Sequence, residues 1–147
     1  MTVTGVGRRT VAVFGCLILC MAAAACGDPP VAPTTVPFSQ ADLSVGTGTE
    51  AAAGKVLTVN YTGWLYDATK PDLKGLQFDT SVGTTPITFT LGIGQVIPGW
   101  DQGIPGMKVG GARRLVIPSS LAYGAIRRGP IPPFSTLVFE IELVDVN

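Results

Sequence analysis

The sequence predicts an α+β domain, an antiparallel β-sheet folded over one short α-helix. Three observations carry this. From Thr136 to Asn147, Leu137, Phe139, Ile141 and Leu143 alternate with Val138, Glu140, Glu142 and Val144, the period of a strand with one face in the core. Val56 to Leu65 repeats the pattern with Leu57, Val59, Tyr61 and Leu65 on one side. Only Trp100 to about Ile104 carries helical spacing, and Gly103 and Pro105 keep that helix short.

The remaining elements follow in chain order. Ala41 to Val45 is a short edge strand. Tyr66 to Gln77, with Pro71, Gly75 and several charges, reads as a loop or bulge. Pro86 to Leu91 and Arg113 to Ile117 are two further strands. Glu140 and Glu142 are expected in water. The pairs Arg113-Arg114 and Arg127-Arg128 read as a solvated strand edge and a solvated loop.

Composition narrows the function. The chain has 147 residues, 46% hydrophobic and 14% charged, with a formal net charge of zero. Without Arg8 and Arg9 the remaining eight basic residues face ten acidic ones, a charge of −2. A basic face for nucleic acid is not expected. There is no histidine, and the only cysteines are Cys16, Cys20 and Cys26. The body of the chain therefore excludes Cys/His nucleophilic chemistry, a Ser-His-Asp triad and His- or thiolate-based metal sites. Any catalysis there rests on binding, carboxylates, hydroxyls or the backbone, with no metal and no cofactor.

Residues 1–25 have the pattern of an export signal. Arg8 and Arg9 open it, Val11 to Met21 is apolar, and Ala22 to Ala25 are small residues before Cys26. The junction resembles the lipobox of bacterial lipoproteins, although Ala23 stands where Leu is usual. That resemblance implies lipidation at Cys26 and a membrane anchor, in the periplasm or at the cell surface. Cleavage after Ala25 to give a soluble secreted protein is the alternative. Residues 26–39 hold Pro29, Pro30, Pro33 and Pro37. They read as an extended tether with a reach of roughly 40 Å, leaving residues 40–147 as one folded domain.

The residues most suggestive of a site lie in that domain. In Val96-Ile97-Pro98-Gly99-Trp100 an apolar run stops at a Pro-Gly pair and delivers an indole to the start of the short helix. Tyr61-Thr62-Gly63, Phe78-Asp79-Thr80-Ser81, Leu121-Ala122-Tyr123-Gly124, and Ile131-Pro132-Pro133 with Leu137-Val138-Phe139 add further rings and one carboxylate. Each has a plain structural reading as well. Phe139 and Trp100 suit a core, buried tyrosines satisfy their hydroxyls, and Asp79 suits a turn or cap.

Taken together and in this order, the motifs resemble the FKBP-type peptidyl-prolyl isomerases, in their bacterial wording, over nearly all of residues 40–147. The resemblance implies a half-conical antiparallel sheet wrapped on the helix, with an apolar pocket between them. It implies a pocket lined by Tyr61, Phe78, Asp79, Val96, Ile97, Trp100, Tyr123, Ile131 and Phe139, with Ile87 and Phe89 near its wall. Trp100 would lie under a prolyl ring, with Tyr61, Phe78 and Phe139 as walls. The Ile97 N–H and the Tyr123 hydroxyl would hold substrate carbonyls, and Asp79 would face the rotating bond. Proline-containing polypeptides are the implied substrates, macrolides the implied inhibitors, and a monomer the expected state.

Some features depart from that pattern. Ile87 is often Phe in the family. The loop Ala125 to Gly129 is about one residue shorter than in familiar eukaryotic members and carries Arg127-Arg128. Val82 to Thr85 has no basic residue to meet Asp79, and the spacing from Tyr66 to Phe78 is long. A proline- or macrolide-binding module without turnover, a holdase-like chaperone and a surface lipoprotein that merely keeps the fold remain alternatives to the enzyme.

Overall fold

The computed structural model describes residues 35–147. The expected leader, Cys26 and most of the Pro-rich tether lie outside the described residues. The described chain forms strands β1 (Ser39–Ser44), β2 (Val56–Tyr66), β3 (Lys74–Thr80), β4 (Ile87–Thr90), β5 (Ala112–Ile117) and β6 (Leu137–Val146). One α-helix, α1 (Pro98–Gly103), precedes β5, and a 3₁₀ turn at Ser119–Leu121 follows it. The strands make one open antiparallel sheet in the order β1-β5-β6-β2-β3. The outer edge of β2 is shared: its first half pairs with β4 and its second half with β3.

The inner face follows the alternation. Leu57 and Val59 on β2, Leu115 and Ile117 on β5, and Leu137, Ile141 and Leu143 on β6 are fully buried against Trp100 and Ile104. Phe38, within the stretch read as tether, also packs on this core.

Helix α1 lies unusually close to β5, and the sequence states how. Pro98 suits a first helical position, and Gly99 and Gly103, four apart, share one helical face. A Cβ on Gly99 would collide with the Ile117 side chain, and one on Gly103 would stand 2.6 Å from Leu115 Cδ2. The missing side chains let β5 press directly on the helix backbone.

Arg113 closes the other end. Its side chain was expected in water but the residue is only 6% exposed. One Nη donates to the Gly103 carbonyl at 2.8 Å and to the Pro105 carbonyl at 3.1 Å, and Nε donates to Asp42 on β1 at 2.5 Å. The guanidinium therefore satisfies carbonyls that a short helix leaves bare and meets the negative end of its dipole. β5 is not an edge, because β1 covers it.

Two further expectations changed. The end of the segment read as loop or bulge is strand: Lys74 to Gln77 belong to β3 and lie against β2. The run lacks apolar alternation because β3 is an edge that buries little side chain, with Leu76 63% exposed. The outward face of β6 is also drier than expected. Val138 is fully buried between its cross-strand partners Val116 and Trp64. Glu140 accepts from Lys74 at 2.7 Å and from Arg114 at 2.8 Å, while Lys74 Nζ lies 4.4 Å from the Trp64 ring centre.

Two outcomes follow. Gly99→Ala should destabilise the domain by about 1–3 kcal/mol from overpacking, even though Ala is the better helix former by about 1 kcal/mol; urea unfolding measures this. For Glu140, burial on its own raises the carboxyl pKa, but hydrogen bonds and charge from Lys74 and Arg114 outweigh it and hold the group below its ordinary 4.5. A carboxylate held low in the folded state adds stability that is present above its unfolded value and lost as pH falls through the folded one. The stability gap between wild type and Glu140→Gln should therefore be widest near neutrality, at about 1 kcal/mol or less for so exposed a cluster. It should close as pH drops below 4.5.

Candidate active site

The cleft is built where β2, β3, β6 and the start of α1 converge, and one glycine makes room for it. Gly63 on β2 faces the rings of Phe78 and Phe139. A Cβ there would stand 2.6 Å from Phe78 and 2.8 Å from Phe139. With the side chain absent, the two rings meet edge to face, centroids 5.6 Å apart.

A bulge supplies the next piece. Gly63 pairs with Asp79 but Trp64 pairs with Gln77, so Phe78 is an extra residue on β3. Strict alternation would send Phe78 and Asp79 to opposite faces. The bulge re-aims the strand, and both side chains line the same cleft.

Trp100 is the floor. Its ring lies 5.2 Å from Tyr61 and 5.3 Å from Phe139, nearly perpendicular to each. Its indole N–H is buried and makes no hydrogen bond. Above it opens a cleft of about 450 Å³, within the size range of small-ligand sites. Ile87, Val96, Ile97, Ala122 and Tyr123 are among the residues that complete its wall.

The polar groups are few and fixed. The Tyr61 hydroxyl donates to Asp79 Oδ2 at 2.5 Å, and the Thr80 N–H donates to Asp79 Oδ1 at 2.9 Å. Burial first, then the hydrogen bond and charge of Asp79, push the Tyr61 hydroxyl well above its ordinary pKa of 10.0. The Tyr61 backbone is held by neighbours of the same motif. Ser81 Oγ accepts its N–H at 2.9 Å, and Thr80 Oγ1 donates to its carbonyl at 3.0 Å. The basic partner sought for Asp79 in the Val82 to Thr85 loop is replaced by this tyrosine.

Asp101 fixes the loop that leads into the helix. Its two carboxylate oxygens accept the Gly92 and Gly94 N–H groups at 2.8 and 3.0 Å. Gln95 Oε1 accepts the Thr90 N–H at 2.8 Å. The Ile97 carbonyl begins the helix by accepting from Trp100 N–H at 2.9 Å. Among the described residues no hydrogen bond engages the Ile97 N–H or the Tyr123 hydroxyl.

Of the residues singled out in the sequence, Tyr61, Phe78, Asp79, Ile87, Val96, Ile97, Trp100, Tyr123 and Phe139 all line this one cleft. Phe89 and Ile131 do not. They are 6% and 5% exposed and belong to the core, Phe89 packing behind Trp100 at 5.8 Å. Three lining residues escaped the sequence reading: Gln95, Ala122 and Arg128. Two of them carried a signal: Ala122 stands in the Leu121-Ala122-Tyr123-Gly124 motif, and Arg128 in the shortened Ala125 to Gly129 loop.

Residues 47–144 match the family model described as FKBP-type peptidyl-prolyl cis-trans isomerase. The chain is 53% identical to an FK506-binding protein of Neisseria meningitidis serogroup B over 107 residues, 71% of this chain and 92% of that one. It is 43% identical to an FK506-binding protein of Streptomyces anulatus over 123 residues, 82% of this chain and 90% of the relative. Among solved structures, FkpA from Escherichia coli superposes with a TM-score of 0.63 at 39% identity, covering 75% of this chain and 48% of that one. A peptidyl-prolyl cis-trans isomerase from Pseudomonas syringae pv. tomato gives a TM-score of 0.61 at 42% identity, covering 75% of each. With its open six-stranded sheet, its short helix and a ring-lined cleft between them, this chain belongs to the FKBP-type peptidyl-prolyl cis-trans isomerase family.

Proposed function

We propose that the chain is a lipid-anchored isomerase that rotates Xaa–Pro bonds in exported polypeptides without forming a covalent intermediate. The observation that carries the chemistry is the cleft over Trp100, walled by Tyr61, Phe78 and Phe139 and holding two uncommitted polar groups, the Ile97 N–H and the Tyr123 hydroxyl.

An Xaa–Pro bond rotates slowly because resonance gives its C–N bond double-bond character. That resonance separates charge, and water stabilises the separation. A dry cleft removes the water and so favours the twisted, less polarised amide. Tighter binding of the twisted form than of either planar isomer is the general requirement for catalysis. A 10⁴- to 10⁵-fold acceleration needs about 5.5–7 kcal/mol of such preference. In this reading the Ile97 N–H and Tyr123 hydroxyl, both without a hydrogen bond in the cleft, hold carbonyls beside the rotating bond. Asp79, held at both oxygens, presents a fixed negative charge to the cleft, and the raised Tyr61 hydroxyl keeps its proton. No step moves a proton to or from the protein.

The FK506-binding names of the relatives support macrolide binding in the same cleft. The Pro-rich sequence of residues 26–39, which cannot supply a helical dimerisation arm, supports a monomer. Location rests on the sequence pattern of residues 1–26. Two or more acyl chains on Cys26 would anchor the domain firmly, where one chain would not.

Phe78→Ala should lower kcat/KM for a Xaa-Pro peptide about tenfold, equivalent to about 1.4 kcal/mol of transition-state binding. Leu76→Ala, on the exposed edge of the same strand, should stay within about twofold. NMR exchange or a protease-coupled assay reads both, and equal activity of the two variants removes the assigned role of the rings. Separately, mass spectrometry of the membrane fraction should find the mature N-terminus at Cys26 with acyl chains attached. Cys26→Ser should release the domain into the soluble fraction, and an unmodified terminus in wild type points to simple secretion.

A further inference from the structure

We propose that Arg128 gives this isomerase a preference for prolines flanked by an acidic residue, Asp or Glu. The proposal rests on the isomerase reading above and adds the charge of the client.

Arg128 lines the cleft at its mouth. Its guanidinium lies 5.7 Å from the centre of the Tyr123 ring, within cation–π range. Its backbone is fixed as well. Arg128 N–H donates to the Ile131 carbonyl at 3.1 Å and Ile131 N–H returns to the Arg128 carbonyl at 2.9 Å, closing a tight turn through Gly129 and Pro130. The turn and the ring contact together present the charge at the rim of the cleft, and no carboxylate of the described residues pairs with it. The other charge in the cleft, Asp79, is engaged by Tyr61 and Thr80.

With a prolyl ring on Trp100, the residue on either side of the proline has its Cα about 3.8 Å along the chain. On one of the two sides, that residue's side chain would leave the cleft past Tyr123, where Arg128 stands. A carboxylate there gains an ion pair, an ammonium is repelled, and an amide of the same shape does neither. The Arg127–Arg128 pair, read from sequence as a solvated loop, thus divides. Arg128 faces the substrate and Arg127 is outside the lining.

The test is NMR exchange on short peptides that carry Leu, Gln, Glu or Lys immediately before or immediately after one proline. In wild type at low salt, kcat/KM for the Glu peptide should exceed that for the matched Gln peptide by about two- to fivefold at one of the two positions, the range of an exposed ion pair. The Lys peptide should fall below Gln. The ratio should shrink towards one near 1 M salt, where the screening length is about 3 Å. Arg128→Gln should abolish the Glu-to-Gln ratio, Arg128→Glu should turn it in favour of Lys, and Arg127→Gln should keep it. Equal rates for Glu and Gln in wild type, or a ratio that survives Arg128→Gln, overturns the charge preference alone. No acceleration of any peptide, Leu included, overturns the isomerase reading and the preference with it. The salt series needs no variant, so a loop disturbed by substitution leaves the result decisive.

Discussion

The contact between α1 and β5 holds everything else in place. Six residues of helix cannot stand alone, since nucleation alone is unfavourable at that length. Here the helix survives because Gly99 and Gly103 let Ile117 and Leu115 close on its backbone, and because Arg113 ties its last carbonyls to the sheet and to β1. Trp100 lies between those glycines in the same turn of helix, so the same contact that secures the helix also sets the depth of the floor.

The chemistry suits a domain without histidine or thiol. Its tools are shape, dryness and a few oriented dipoles. Tyr61 and Phe139 each meet Trp100 edge to face, so neither stacks on the indole across the opening. That arrangement is favoured by the ring quadrupoles, and it leaves the indole face free for a small apolar ring.

Much of this was legible in the sequence. The alternation in β2 and β6 was readable because each buries one face, and the Pro-Gly-Trp start of α1 was readable because breakers are local. The edge strand β3 was not, because a strand that buries little leaves no period in its side chains. Nor was the bulge at Phe78, since register is a property of two strands and only one is visible at a time. Arg113 looked like a surface residue because its partners, the carbonyls of Gly103 and Pro105, belong to the backbone and have no letter in the sequence. Phe89 and Ile131 fit the pattern of the site but stand outside its lining, Phe89 against Trp100 and Ile131 paired with Arg128, a difference that order along the chain cannot express. Arg128 was visible as a charge but not as a neighbour of Tyr123.

Asp101 links two parts of the molecule that would otherwise drift apart. By gripping Gly92 and Gly94 from within the helix, it makes the turn before Ile97 and the helix after it a single rigid piece. The configurational freedom of that amide is surrendered once, when the chain folds, and not again at each encounter with a client. On the proposed mechanism a bound imide would turn against a stationary donor, and the neighbours of the proline would meet the exposed loop that carries Arg128.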